Sequence, residues 1–315
     1  MKGDKEVGRA SLISVFAALV LAAGPAAYAS QSDQLRFDIT ETGHMVVDIE
    51  VNGDNDALAI IDTAATFPII DRATADLASI ELPVSPVMID IVGLGEVRTF
   101  PVVNVGQLTL GALEMQNVPA AYNAKIRFPS TGNVIPASSL PYRTLDFDFR
   151  NTRLRLYDAP PRTVRGAHTG RLKIIRHGGL PFIEVSVNGL EGLALIDTGA
   201  SITFVNSAFA QGAASSARAV RTIELVGATG NVTPVKILYS RRFQLSDFTV
   251  NRFNVVVSDP EFLQMLGLGE TPVMVLGLDV LKSFRVQIDR QSEELRLSIP
   301  GNSLGRGAGM SIRTR

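Results

Sequence analysis

The sequence predicts an all-β protein of two similar lobes facing a central cleft, with few short helices. Three observations carry this. Apolar and polar residues alternate in short runs bounded by Gly and Asn turns, as in Met45-Val46-Val47-Asp48-Ile49-Glu50-Val51 followed by Asn52-Gly53. Most of the chain occurs twice, the second copy lying 135 to 141 residues after the first. Each copy holds an apolar strand that ends in Asp-Thr, at Asp62-Thr63 and at Asp197-Thr198.

Composition is that of a folded protein. The 315 residues are 46% hydrophobic and 19% charged, enough for a sizeable core and too apolar for a disordered chain. The formal net charge is −1, with no basic cluster and no aromatic stripe, so no nucleic-acid partner is expected. Cysteine is absent, which excludes disulfides, thiolate catalysis and Cys-ligated zinc. The three histidines, His44, His168 and His177, do not have the spacing of a helical metal site.

Residues 1–29 read as a signal peptide. Lys2, Lys5 and Arg9 precede the apolar run Ala10 to Ala23, Gly24-Pro25 breaks it, and Ala27-Tyr28-Ala29 supplies a small-x-small cleavage pattern. The apolar run is short for a membrane span, so a cleaved leader is expected, with the alternative of an uncleaved anchor. The mature protein is then secreted or periplasmic, without stable membrane insertion.

The first lobe is read over residues 30–158 and the second over 172–300. In the first, strands begin at Leu35, Asn52-Gly53 marks a hairpin, and the next strand runs into Asp62. The second repeats this with Pro181 to Val187, Asn188-Gly189 and the strand into Asp197. The offset is 136 at Asn52/Asn188 and 135 at Asp62/Asp197, so one residue of the first turn is missing from the second. A duplication of this length is a doubled domain and not a solenoid. Each Asp loop is followed by a Gly-bearing hairpin, around Gly93 and Gly95 in lobe 1 and around Gly227 and Gly230 in lobe 2. Such hairpins are candidate mobile covers, or ordinary surface hairpins. Each lobe closes on an apolar strand, a short helix and a terminal hairpin at a constant offset of 141, with Ser138 and Asp279 at the expected helix N-caps. Asp146, Asp148 and Asp289 in those hairpins read as structural, and Asp48, Glu50 and Glu184 as a solvated strand face. Residues 159–171, with Pro160-Pro161, read as a linker, and 301–315 as a flexible Gly-rich tail.

Two carboxylates at a pseudo-twofold axis suit hydrolysis. One ionised group takes a proton from water while its protonated partner polarises a carbonyl. Close like charges do not both ionise, so one proton is shared and the pair titrates as a unit. From sequence the base role can go to either Asp. Ser201 as a nucleophile is disfavoured, because no G-x-S-x-G surrounds it and histidine is scarce.

The words Asp197-Thr198-Gly199-Ala200-Ser201 and Asp62-Thr63-Ala64-Ala65-Thr66, each after an apolar strand, resemble the active-site loops of retropepsin-like and pepsin-like aspartic proteases. Val275-Leu276-Gly277-Leu278-Asp279 adds the second segment of that pattern in lobe 2. The resemblance covers roughly Leu35 to Leu297 and implies two fused lobes of the acid-protease type. It implies that Asp62 and Asp197 are the catalytic pair and that Thr63 and Thr198 brace the loops. Ala64, Gly199, Ala200 and Ser201 would complete them, and Gly93, Gly95, Gly227 and Gly230 would belong to flaps. It further implies a monomeric endopeptidase acting on extended polypeptide, with no metal or organic cofactor. Lobe 1 departs from the pattern at Ala64 and Pro136, where lobe 2 has Gly199 and Gly277. A degenerate, non-catalytic peptide-binding or scaffold protein is the alternative, and a dyad of two Asp197 from two chains is a third reading.

Overall fold

The computed structural model describes residues 32–53, 55–92, 97–125, 130–214, 220–226, 232–300, 306–307 and 310–314. Their strands form three sheets. An eight-stranded sheet is built from residues 38–136, a ten-stranded one from residues 175–314, and a six-stranded sheet takes strands from both halves. The protein is thus mostly β, with short helices at Arg72–Leu77, Ser207–Ala213, Glu261–Met265 and Leu278–Leu281. None of the helices among the described residues is long and apolar enough to cross a membrane. The signal peptide read over residues 1–29 lies outside the described residues.

The first hairpin of each lobe follows from its turn. Asn188 and Gly189 both have positive φ, 53° and 90°, as do Asn52 and Gly53, at 49° and 90°. Asn and Gly are the residues that tolerate this pair of conformations. Val51 pairs with Asn55, whereas Val187 pairs with Leu190, which is the one-residue difference read from the repeat offset. The Asn side chains repeat one further device. Asn52 Nδ2 donates to Ala78 O and its Oδ1 accepts from Gln107 N. Asn188 Nδ2 donates to Ala213 O and its Oδ1 accepts from Arg242 N. Each ties its turn to a helix end and to a long strand.

The strands that carry the aspartates lie at the centre of their sheets. Asn55–Asp62 pairs in parallel with Val134–Pro136, and Leu190–Ile196 with Val273–Leu276. Ile69–Asp71 and Phe204–Val205 flank the inserted strands on the other side, antiparallel to them. Toward their aspartates these strands are covered on both faces and apolar, and Ile60, Ile61, Leu195 and Ile196 are all buried. Asp71 and Asn206 then cap the following helices by accepting from Thr74 N and Phe209 N.

The six-stranded sheet joins the halves. Thr144–Asp148 pairs antiparallel with Arg285–Asp289, and Asp146 lies opposite Gln287 at the middle. Each strand also pairs within its own hairpin, with Arg153–Tyr157 and Glu294–Pro300. Asp146 is fully buried and accepts from Arg285 Nε at 2.7 Å and Gln287 Nε2 at 3.1 Å. Arg143 grips Asp289 with two nitrogens, at 2.9 and 2.8 Å. Burial pushes Asp289 up, but Arg143 and the Ser292 and Gln291 donors outweigh it and hold the carboxyl at about 2. The structural reading of Asp146, Asp148 and Asp289 holds. Asp48, Glu50 and Glu184 are exposed, as their alternation predicts.

One apolar core runs through the sheets, and residues 32–315 form one compact unit. A second cluster under the Asp197 loop includes Phe182, Leu195, Phe204 and Val275. Burying one such phenylalanine is worth about 2–3 kcal/mol.

Three expectations need correction. The segment read as a linker over 159–171 becomes regular at Ala167, where Ala167–Lys173 pairs with Glu294–Pro300. The tail read as flexible contains Met310–Thr314, a strand paired with Phe248–Val257. Its glycines hid an alternation of only a few residues. The helix caps are Pro136 and Gly277, not Ser138 and Asp279. Asp279 sits two residues past the cap, in the first turn, where it accepts from Thr203 Oγ1 at 2.6 Å.

Candidate active site

Each aspartate stands where a central strand runs out, and its loop turns on the carboxylate itself. Asp62 Oδ1 accepts from Ala64 N at 2.7 Å and Ala65 N at 3.0 Å. Asp197 Oδ1 accepts from Gly199 N at 2.8 Å and Ala200 N at 2.9 Å. In both, Oδ2 takes no backbone donor among the described residues.

The threonines lock the loops together. Thr63 Oγ1 donates to Ile196 O at 2.7 Å and accepts from Thr198 N at 3.0 Å. Thr198 Oγ1 donates to Ile61 O at 2.6 Å and accepts from Thr63 N at 3.1 Å. Each hydroxyl therefore pairs two backbone groups across the axis, and both side chains are buried. Bonds of this kind between buried groups fix geometry as well as energy.

Gly199 lies against the opposite carboxylate. A Cβ there would sit 2.5 Å from Asp62 Cγ, closer than real atoms approach. Glycine is required by that contact and not by an unusual φ. Ala64 holds the equivalent place in lobe 1, half-buried, and packs on the second apolar cluster. Ala200 is buried in that cluster. Ser201 is half-buried beside Gly43, whose added Cβ would meet Ser201 Cβ at 3.3 Å.

The electrostatics mark the two groups as a pair. Burial pushes Asp197 up from 3.8 to about 8, with the charge of Asp62 adding to it and the loop N–H groups opposing. Asp62 is raised by burial too, against the Ala64 and Ala65 N–H groups. Two carboxyls moved upward together hold a proton where free aspartates would have lost it.

The glycines Gly93, Gly95, Gly227 and Gly230 lie outside the described residues. The strands leading to them are paired, Met88–Val92 with Val97–Leu110 and Val220–Val226 with Val232–Leu245.

Sequence reasoning noted Pro136 against Gly277 but missed two differences linked to it. In lobe 2, Gly277 N donates to Thr203 Oγ1, which donates to Asp279. A Cβ on Gly277 would lie 2.7 Å from the Ile202 carbonyl group. Lobe 1 has Pro136, Pro68 and Ser138 at these three places. Proline has no N–H to donate, so the threonine and the aspartate lose their purpose together. The signal was present as departures at the repeat offsets of 141, for Pro136 and Ser138, and 135, for Pro68.

The sequence profile of the aspartyl protease family matches residues 47–135 and again residues 183–280, together more than half of the chain. No curated protein matches the chain. The two matched regions coincide with the two copies and each contains one Asp-Thr loop. The chain belongs to the aspartyl protease family, with its domain present twice.

Proposed function

We propose that this protein is an exported aspartic endopeptidase in which Asp62 and Asp197 share one proton and activate a water. The observation that carries the reading is the reciprocal threonine exchange, which holds the two aspartate loops together with both carboxyls shifted upward. Asp197 keeps the proton, because it is the more buried of the two and is opposed by Asp62. Asp62 is then the base. It takes a proton from water as the oxygen attacks the peptide carbonyl carbon, while Asp197 gives its proton to the carbonyl oxygen. The tetrahedral diol collapses as Asp62 gives the water proton to the nitrogen, Asp197 takes a hydroxyl proton and the C–N bond breaks, leaving a carboxylic acid and an amine with the dyad restored. The substrate is an extended polypeptide held by strand-like backbone bonds. Residues 1–29 direct export, and the mature chain begins at Ser30.

A binding-only protein is favoured by one set of residues, Ala64, Pro68 and Pro136, which depart from lobe 2 around Asp62. One experiment separates the readings. The mature chain is incubated with a diverse peptide mixture from acid to neutral pH, beside Asp197→Asn, and products are read by mass spectrometry. Cleavage that disappears in the variant supports the endopeptidase. A folded protein that cleaves nothing at any pH sinks it.

A further inference from the structure

A cavity of about 580 Å³ opens beside the Asp62 loop. Thr63 and Thr66 of that loop line it, as do Arg143, Arg176, Arg290 and Glu293. The second copy of the fold serves as the control. At the repeat offset of 141, Arg143 corresponds to Phe284 and Arg290 to Phe149. Both phenylalanines are buried, Phe149 against Phe37 and Phe147, and Phe284 against Phe248. The turns that close the two sides differ as well. Gly43 and Gly179 share a conformation, with φ of 83° and 81°, but a Cβ on Gly43 would touch Ser201 whereas one on Gly179 would meet nothing within 4 Å. One side of the molecule is packed with aromatic rings. The other keeps space and three guanidinium groups.

Charge counting narrows what belongs there. Arg143 is paired with Asp289, and Arg176 with Glu293. Arg290 has no carboxylate within ion-pair distance among the described residues. Its Nη1 donates to Leu140 O and Tyr142 O, and its Nη2 to Ser138 O at 2.9 Å. Carbonyl groups orient the guanidinium without neutralising it, and its Nε has no partner among the described residues. Burial and the neighbouring Arg176 lower its pKa, against a pull from Glu293, as expected of a cation short of a counter-charge. Leu145, Ile288 and Pro141 supply an apolar wall beside it.

We propose that this cavity is a subsite for a single carboxylate carried by an extended peptide, paired with Arg290 and adjoining the loop of Asp62. The chemistry is that of a monoanion with an apolar stem, which fits a Glu or Asp side chain and a peptide C-terminus alike. The proposal rests on the endopeptidase reading for its ligand and gives that enzyme a preference for an acidic group on one side of the cleft.

The test is calorimetric binding to the mature Asp197→Asn chain, so that turnover does not intrude. Three peptides of one sequence are compared at fixed ionic strength: a C-terminal amide without acidic residues, its free acid, and an amide with one Glu. The free acid or the Glu peptide binds at least about tenfold tighter than the plain amide, as expected for a charge-assisted pair. The tighter of the two identifies the source of the carboxylate. Arg290→Met erases the difference between the three peptides. Ser138→Asp, which places on this wall the residue that lobe 2 carries at Asp279, supplies Arg290 with an internal partner and erases it too. That variant decides the matter if Arg290→Met does not fold. Equal binding of the three peptides, or a preference that survives both variants, overturns the subsite. Cleavage of the plain amide by the wild-type chain would still support the endopeptidase in that event. Carboxylate-selective binding without any cleavage would leave the subsite and remove the enzyme. No binding by any peptide overturns the subsite.

Discussion

Replacing Thr198 by valine tests the bracing of the site directly. The side chain is fully buried, and valine keeps its shape while removing the hydroxyl. Two partners are left behind: Ile61 O, which accepts at 2.6 Å, and Thr63 N, which donates at 3.1 Å. A buried polar group without a partner costs about 1–3 kcal/mol, so the pair costs about 2–6 kcal/mol. No cavity is made, so no packing loss adds to this. Against the ~5–15 kcal/mol stability usual for a domain, that is a large share. Urea unfolding of the mature chain measures it as a lower midpoint at unchanged slope. Thr198→Ser keeps the hydroxyl and loses only a methyl, so it should recover most of the stability. A Thr198→Val chain within about 0.5 kcal/mol of wild type, a change usual for surface sites, would refute the bracing role.

Other perturbations reach other parts of the account. Gly199→Ala sets a methyl 2.5 Å from Asp62 Cγ, so peptide turnover should fall about a hundredfold or more while the fold persists; turnover within threefold of wild type would contradict the contact. Asp197 binds its proton more tightly folded, at about 8, than unfolded, at 3.8, and Asp62 is shifted in the same direction. The folded chain therefore holds more protons, and this stability is present below pH 4 and lost as pH rises through about 8, with a ceiling of about 6 kcal/mol from Asp197. Asp197→Asn should flatten that decline and be the more stable protein at pH 8; a curve parallel to wild type in chemical unfolding would refute the assignment. Asp146→Ala leaves Arg285 and Gln287 facing an empty place at the centre of the joining sheet, and unfolding should show a loss of about 3–5 kcal/mol. A loss below 1 kcal/mol would show that the sheet does not depend on that ion pair.

Much of this architecture was legible because it is written twice. Asn52-Gly53 and Asn188-Gly189 announce their hairpins through the positive φ that few other residues accept. The apolar runs Leu58 to Ile61 and Leu193 to Ile196 read as central because nothing polar interrupts them, and the repeat marks both loops. The caps were misread because a side chain that could cap, Asp279, is held instead by Thr203, a contact made through folding and not along the chain. The tail was misread because its pairing partner, Phe248–Val257, lies some sixty residues away, and glycine content says nothing of an open sheet edge. The arginine cavity was illegible for a related reason. Arg143 and Arg290 look like ordinary charged residues of a terminal hairpin, and they gain meaning only beside Phe284 and Phe149 at the same places in the other copy.

The central claim is that one chain supplies both members of the carboxylate pair. Peptide cleavage by Asp62→Asn, by Asp197→Asn and by an equimolar mixture of the two tests it most directly. Loss of one member of an acid–base pair costs about 10²–10⁴-fold in rate. The account predicts that each variant falls by at least the lower figure and that mixing restores nothing, because each active pair is made within a single chain. Full activity in Asp62→Asn, or activity recovered on mixing, would contradict it and place the pair between two chains.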